Sequence, residues 1–230
     1  PQALERGQGA DRPASRTAAR TPGRRRAQAL KLVRKAFGAD IPVLLLGCDE
    51  HHLRSVRQDP WFDYYSGCHE PDAALLLDPR GADRDTLFLD PGDPARVVWD
   101  GKRLGPGALA KKTHGVHATA LIADLPAAVA KAAKKARHRI AVLWREREPG
   151  WQTQQAHLWK KKLRGVEVLN AEPALVAQRM IKDADEVAWH RRAIEITRRG
   201  LLAVLPQIPK LKTESEVATP PNWKRSCRSG

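Results

Sequence analysis

The chain has 230 residues, 42% hydrophobic and 29% charged, which suits a soluble protein with one sizeable core, or one domain and the start of another. Its net charge of +15 invites a nucleic-acid reading, but the excess is spread over the chain with no recognition motif and no interleaved aromatics, so the sequence argues against one. No apolar run approaches the roughly 18 residues of a membrane span, which excludes a helical membrane protein.

Residues 1–26 carry seven arginines against Glu5 and Asp11 and show no clear amphipathic stripe. We read residues 1–22 as a disordered basic leader; an organelle transit peptide is the alternative. Gly23 precedes an expected helix, Arg24–Phe37, with Leu30, Val33, Ala36 and Phe37 at helical spacing and Gly38 as its stop. Pro42–Gly47 is a continuous apolar run and reads as a buried strand. Asp72–Asp78 and Thr86–Asp90 are two more strands. The turn chemistry of residues 79–83 makes them an antiparallel hairpin.

From Pro94 to Thr113 the pattern is helical, interrupted at Gly101 and Gly105. Leu125–Arg137 is an Ala/Lys helix, Arg139–Trp144 a strand, Trp151–Leu163 a helix and Val166–Asn170 a short strand. The fold class expected is therefore α/β: a mixed β-sheet flanked by helices, followed by one long helix. Asp183 opens that helix as N-cap, with Glu186 three residues on in a capping-box arrangement. Ile194, Thr197, Leu201 and Leu205 share one face, and Pro206 ends the pattern.

Cys48, Cys68 and Cys227 are odd in number and widely spaced, so neither a disulfide framework nor a zinc site is indicated, and a reducing cytoplasm fits. His51 and His52 beside Asp49 and Glu50 are dense in metal-ligand types, but adjacent residues seldom direct side chains at one ion. His114 and His117 are three apart, yet Gly115 breaks the helix such a pair would need. His69, ahead of Glu70 and Pro71, reads as a turn residue. The glycines at 101, 105 and 107 lack the Lys-Ser/Thr ending of a P-loop, and no serine sits in a nucleophile elbow. Catalytic and metal-ligating residues are thus expected to be none.

Three blocks carry a family resemblance. The first contains Arg57, Gln58, Phe62, Tyr64, Tyr65, Gly67, Glu70, Pro71 and Ala73. The second is Leu87-Phe88-Leu89, then Asp93-Pro94, then Trp99 to Gly105 with Gly101 and Arg103. The third is Arg179-Met180-Ile181-Lys182-Asp183 with Glu186 and Ala193. In this order they resemble aminopeptidase P (Xaa-Pro aminopeptidase), whose N-terminal domain is of the creatinase type. Trp61 and Val97 depart from the pattern, standing where the family often has Asp and Glu.

The resemblance implies a manganese-dependent exopeptidase releasing an N-terminal residue ahead of proline. Its pita-bread catalytic domain holds two manganese ions with two Asp, one His and two Glu. None of those ligands can be placed in this sequence, so no cofactor is expected in this chain. The implied layout is an N-terminal domain over residues 23–178 and the start of a truncated catalytic domain over 179–218. Residues 219–230, with Pro220 and Pro221, read as an aberrant tail. With G/C-ending codons, reading one base earlier gives a helix-forming acidic segment, which points to a frameshift; a natural short C-terminus is the alternative.

For the full-length family the partners implied are proline-containing peptides and a homo-oligomer. Arg57, Trp61, Tyr64 and Tyr65 are the candidates for a substrate cleft or subunit interface, since exposed Arg and aromatics favour interfaces. Packing of the loop onto its own domain is the alternative. Two functions follow: an N-terminal fragment of such a peptidase, inactive alone, or a non-catalytic module that pairs with a full-length paralogue or an acidic partner.

Overall fold

Apolar residues in unbroken runs bury both faces of a strand, and the run after Pro42 does so. The computed structural model describes residues 16–49, 58–145 and 150–218. In chain order it contains α1 (Arg16–Phe37), β1 (Val43–Leu46), α2 (Pro60–Ser66), β2 (Ala74–Leu77) and β3 (Asp85–Leu89). A 3-10 turn, Pro94–Arg96, leads into α3 (Val97–Asp100), α4 (Ala108–His114), β4 (Ala118–Leu121) and α5 (Leu125–Lys135). Then come β5 (Arg139–Val142), α6 (Trp151–Lys162), β6 (Glu167–Asn170) and α7 (Glu172–Met180). The last elements are α8 (Ala184–Val204), a 3-10 segment Leu205–Lys210, and α9 (Glu214–Ala218).

Among the described residues the strands form one six-stranded sheet in the order β4-β3-β2-β1-β5-β6. β2 pairs antiparallel with β1 and β3, and the other neighbours are parallel. This is the mixed sheet expected, with the hairpin at its centre. The turn closes where Asp78 N–H donates to the Arg84 carbonyl at 2.9 Å.

Successive strand residues face opposite sides of a sheet, so each strand feeds two cores. Val43, Leu45, Leu75, Leu77, Leu87 and Leu89 pack with Ala29 and Val33 of α1 and Phe62 and Tyr65 of α2. Leu44, Leu46, Leu76, Phe88, Ile140 and Val142 pack with Val129 and Ala133 of α5 and Ala156 and Trp159 of α6. Fully burying a Leu or Phe side chain is worth roughly 1.5–3 kcal/mol, so these two layers dominate stability.

Three elements went unread in the sequence. Asp59 caps α2, its Oδ1 accepting from Trp61 N–H at 2.8 Å and Phe62 N–H at 3.0 Å, with Pro60 at the first helical position. α7 starts where the Asn170 side chain accepts from Glu172 N–H at 3.0 Å, with Pro173 next. β4 is an edge strand of four small or aliphatic residues whose pairing with β3 decides it.

The helix start also needs correction. α1 begins at Arg16, so residues 16–22, expected within the disordered leader, are helical, and Gly23 lies inside the helix. Thr21 and Pro22 are buried, and that tertiary burial overrides two helix-breaking residues. Residues 1–15 and the tail 219–230 lie outside the described residues.

The described residues fall into two compact units, divided between Gln178 and Arg179. In the second, α8 carries the capping box read from sequence: Asp183 Oδ1 accepts from Glu186 N–H at 2.8 Å, and Glu186 Oε2 accepts from Asp183 N–H at 3.0 Å. Ile194, Leu201 and Leu205 of this unit are exposed, whereas Gly200 and Val204 are buried.

One consequence of the topology concerns charge. α1, α4, α5 and α6 each lead into a strand of the parallel set, so all four C-termini lie at the same edge of the sheet. Their last turns carry Arg34 and Lys35, Lys111 and Lys112, Lys134 and Lys135, and Lys160 to Lys162. Bases at a helix C-terminus offset the negative end of the helix dipole, by about 0.3–1 kcal/mol each at the surface.

Candidate functional site

The residues of the first two sequence blocks meet in a clasp at the opposite end of β1. Gln58 is its centre. Its Oε1 accepts from the backbone N–H groups of Cys48 and Asp59, the latter at 2.8 Å, and its Nε2 donates to the Glu70 carbonyl at 2.7 Å. Gly47 N–H donates to Ala73 O at 2.8 Å, and a Cβ at Gly47 would sit 2.9 Å from that oxygen and 3.0 Å from Gln58 Nε2. Only glycine lets the strand end approach so closely.

Glu70 joins the first block to the second: its Oε1 accepts from Leu104 N–H at 2.8 Å, while its buried Oε2 has no hydrogen-bond partner among the described residues. Arg103 Nη1 lies 3.4 Å from Asp90 Oδ2 and 3.8 Å from Asp72 Oδ2. Gly67, at φ +60°, ends α2 in the left-handed conformation, where its N–H reaches the Asp63 carbonyl.

Trp61, Tyr64 and Tyr65 do not face solvent. They are 4%, 8% and 0% exposed and pack into the first core, where the packing alternative placed them. The two tyrosine rings meet edge to face at 4.9 Å. Tyr65 Oη donates to Gln178 Oε1 at 3.1 Å, Gln178 Nε2 donates to the Arg25 carbonyl at 3.0 Å, and the Arg25 guanidinium stacks 3.9 Å over Tyr64. The two tyrosines therefore tie α1, α2 and α7 together. Arg57, the fourth candidate, lies outside the described residues.

Sequence reasoning missed the most polar buried node. Arg26 is 2% exposed. Its Nε donates to Asp85 Oδ2, its Nη1 to the Tyr65 carbonyl at 2.9 Å, and its Nη2 to the Gly115 carbonyl. Asp85 Oδ1 also accepts from His117 N–H at 2.6 Å and lies 2.7 Å from His117 Nδ1. Burial alone would push the Asp85 carboxyl up, but the Arg26 charge and the His117 bonds outweigh it and hold it below the usual range. Burial lowers the Arg26 pKa, against the attraction of Asp85. No sequence signal links residues 59 positions apart in this way.

Metal chemistry finds no footing among the described residues. His51, His52 and Glu50 lie outside them. His117 is bound to Asp85, while His114, three residues away, is buried with its Nε2 unpartnered. Desolvation pulls the His114 ring down to about 4, with a backbone contact from Gly67 partly opposing and His69 and Arg26 adding like charge. His69 pairs with Asp63 at 3.5 Å. No group of three or more His, Cys, Asp or Glu that could hold a metal occurs among the described residues. A pair of manganese ions does not fit this donor set. Cys68 is no nucleophile either, since burial pushes its thiol up to about 12.

Comparison with known proteins places this arrangement. The family described as "Aminopeptidase P, N-terminal domain" matches residues 48–142. A probable Xaa-Pro aminopeptidase pepP from Talaromyces marneffei is 32% identical over 169 residues, covering 74% of this chain and 34% of that protein. A Xaa-Pro aminopeptidase from Haemophilus influenzae is 27% identical over 168 residues, 70% of this chain and 36% of its own. The chain thus spans about a third of the length of these curated relatives. Among solved structures, Pseudomonas aeruginosa aminopeptidase PepP matches with a TM-score of 0.62 at 25% identity, over 80% of this chain and 43% of that one. Escherichia coli aminopeptidase P, at 23% identity and a TM-score of 0.63, shares the fold over 79% of this chain and 43% of its own. Sequence blocks, fold and relatives agree: the chain contains an aminopeptidase P N-terminal region.

Proposed function

We propose that this chain is the N-terminal part of a manganese-dependent Xaa-Pro aminopeptidase, a cytoplasmic metallopeptidase that releases an N-terminal residue preceding proline, and that alone it is catalytically inactive. The observation that carries this reading is the combined match. The alignment to Xaa-Pro aminopeptidases covers 74% of this chain, yet its described residues hold no group of metal ligands. In the reading, residues 23–178 are the N-terminal domain and 179–218 the start of the catalytic domain. The catalytic power of two cations, which lower the pKa of a shared water and polarise the carbonyl, would come from residues that are not among the described ones. Its own contribution is scaffolding. Gln58, Glu70 and Arg103 fix the loops at one end of the sheet, and α2 locks them to α1 and α7.

Two measurements test the proposal. Purified chain incubated with an Xaa-Pro peptide, with and without manganese, is expected to release no N-terminal residue; manganese-dependent release would overturn the inactivity. The gene's downstream nucleotide sequence is expected to encode two Asp, one His and two Glu of a pita-bread domain. An unrelated gene there favours the second reading, a non-catalytic module binding an acidic partner or a full-length paralogue, which the basic edge of the sheet supports.

A further inference from the structure

The bases that look scattered in the sequence are gathered by the fold. Four helix tips from both faces of the sheet meet one edge, and the six strands span about 24 Å there at roughly 4.8 Å per strand. Lys35, Lys112, Lys134 and Lys161 stand exposed at these tips, one from each helix, with no carboxylate partner among the described residues. Most acids at this edge are already engaged: Asp40 with Arg34 at 3.6 Å, Asp78 with Lys135 at 4.0 Å, Glu167 with Arg139 at 2.9 Å and Asp85 with Arg26. That leaves exposed Asp83 of the hairpin turn against four lysines. Dipole compensation explains one base per tip; two or three per tip leaves a surplus of like charge that a polyanion would relieve.

The character of the edge selects the polyanion. Protein partners are anchored by exposed aromatic or aliphatic residues, and none of the exposed large hydrophobics of the first unit lies in these last turns. Single-stranded nucleic acid needs aromatic faces for stacking. The nearby indoles are shut away: Trp144 lies under Lys160 at 4.4 Å and Trp159 under Lys162 at 5.4 Å, and both are buried. What remains is a broad field of flexible point charges, suited to phosphates at regular spacing without reading bases. We propose that this edge is a sequence-independent docking surface for the phosphate backbone of double-stranded nucleic acid. The surface belongs to the first unit alone and does not depend on the peptidase reading.

The test is fluorescence anisotropy with a random duplex of about 20 base pairs across about 50–200 mM salt. The chain is expected to bind, with affinity falling steeply as salt rises. The triple variant Lys35→Glu/Lys134→Glu/Lys161→Glu is expected to lose at least about tenfold in affinity and about 2–3 from the log–log salt slope. A control of equal charge change within the same unit but outside these last turns, Arg24→Glu/Lys31→Glu/Lys102→Glu, is expected to lose under about threefold. The corresponding Gln triples, which spare the helix ends a repelling acid, give the same ranking if the Glu variants unfold. The proposal is overturned by any of four results. These are no duplex binding by the parent chain, equal losses in both triples, polyglutamate binding as tight as duplex, or anionic vesicles binding as tightly.

Discussion

Removing one partner of the Arg26–Asp85 pair should be among the most damaging single changes in the first unit. Both side chains are nearly closed to solvent, at 2% and 7% exposure. In Asp85→Ala the guanidinium keeps its bonds to the Tyr65 and Gly115 carbonyls but loses its counter-charge, and His117 loses its acceptor. Breaking a buried pair in this way costs about 3–5 kcal/mol, mostly through the charge left uncompensated. Arg26→Met should cost a similar amount, because the Asp85 carboxylate keeps only its His117 bonds and loses its counter-charge, while two carbonyls lose their donor. The double variant carries no unpaired charge, so its cost should approach that of either single change rather than their sum. Domain stability is usually about 5–15 kcal/mol, so either single variant removes a large fraction of it. Urea unfolding of the parent, both singles and the double, followed by circular dichroism, gives the cycle. Singles costing under about 1 kcal/mol, or a double cost equal to the sum, would refute the claim that this buried pair organises α1, β3 and the α4–β4 corner.

His114 should make the chain acid-sensitive. Its folded-state pKa lies near 4 against 6.5 when free, so the unfolded chain binds the extra proton between those values. Stability is therefore complete above about pH 6.5 and declines by up to about 3 kcal/mol as pH falls towards 4; His114→Leu should flatten that slope in pH-dependent melts. Gly47→Ala should destabilise by about 1–3 kcal/mol in urea titration, because its methyl would press on Ala73 O and Gln58 Nε2, while Gly38→Ala, with nothing within 4 Å, should cost less despite its φ of +67°. The exposed Ile194, Leu201 and Leu205 should drive self-association. Light scattering at tens of micromolar, on the order of folding-study concentrations, is expected to show larger species for the full chain than for a chain ending at Gln178. Equal behaviour would contradict the assignment of stickiness to this unit.

The central strands and the capping box were legible in the sequence because their causes are local. Leu44 to Leu46 form an apolar run wherever they sit, and Asp183 finds Glu186 within one turn. The family blocks were legible too, but not their roles. Trp61, Tyr64 and Tyr65 read either as cleft or interface aromatics or as packing onto their own domain, and only the tertiary structure shows that they are buried in their own unit. The start of α1 was misplaced for a related reason: Pro22 and Gly23 break an isolated helix, whereas in the folded unit Thr21, Pro22 and Arg26 are fixed by burial and by Asp85. Charge shows the division most plainly. The number of lysines is a property of the sequence, but their concentration at one edge is a property of the topology. In a parallel βα arrangement every strand-leading helix must end at the same side, so bases that suit each helix end singly are brought together only when the sheet forms.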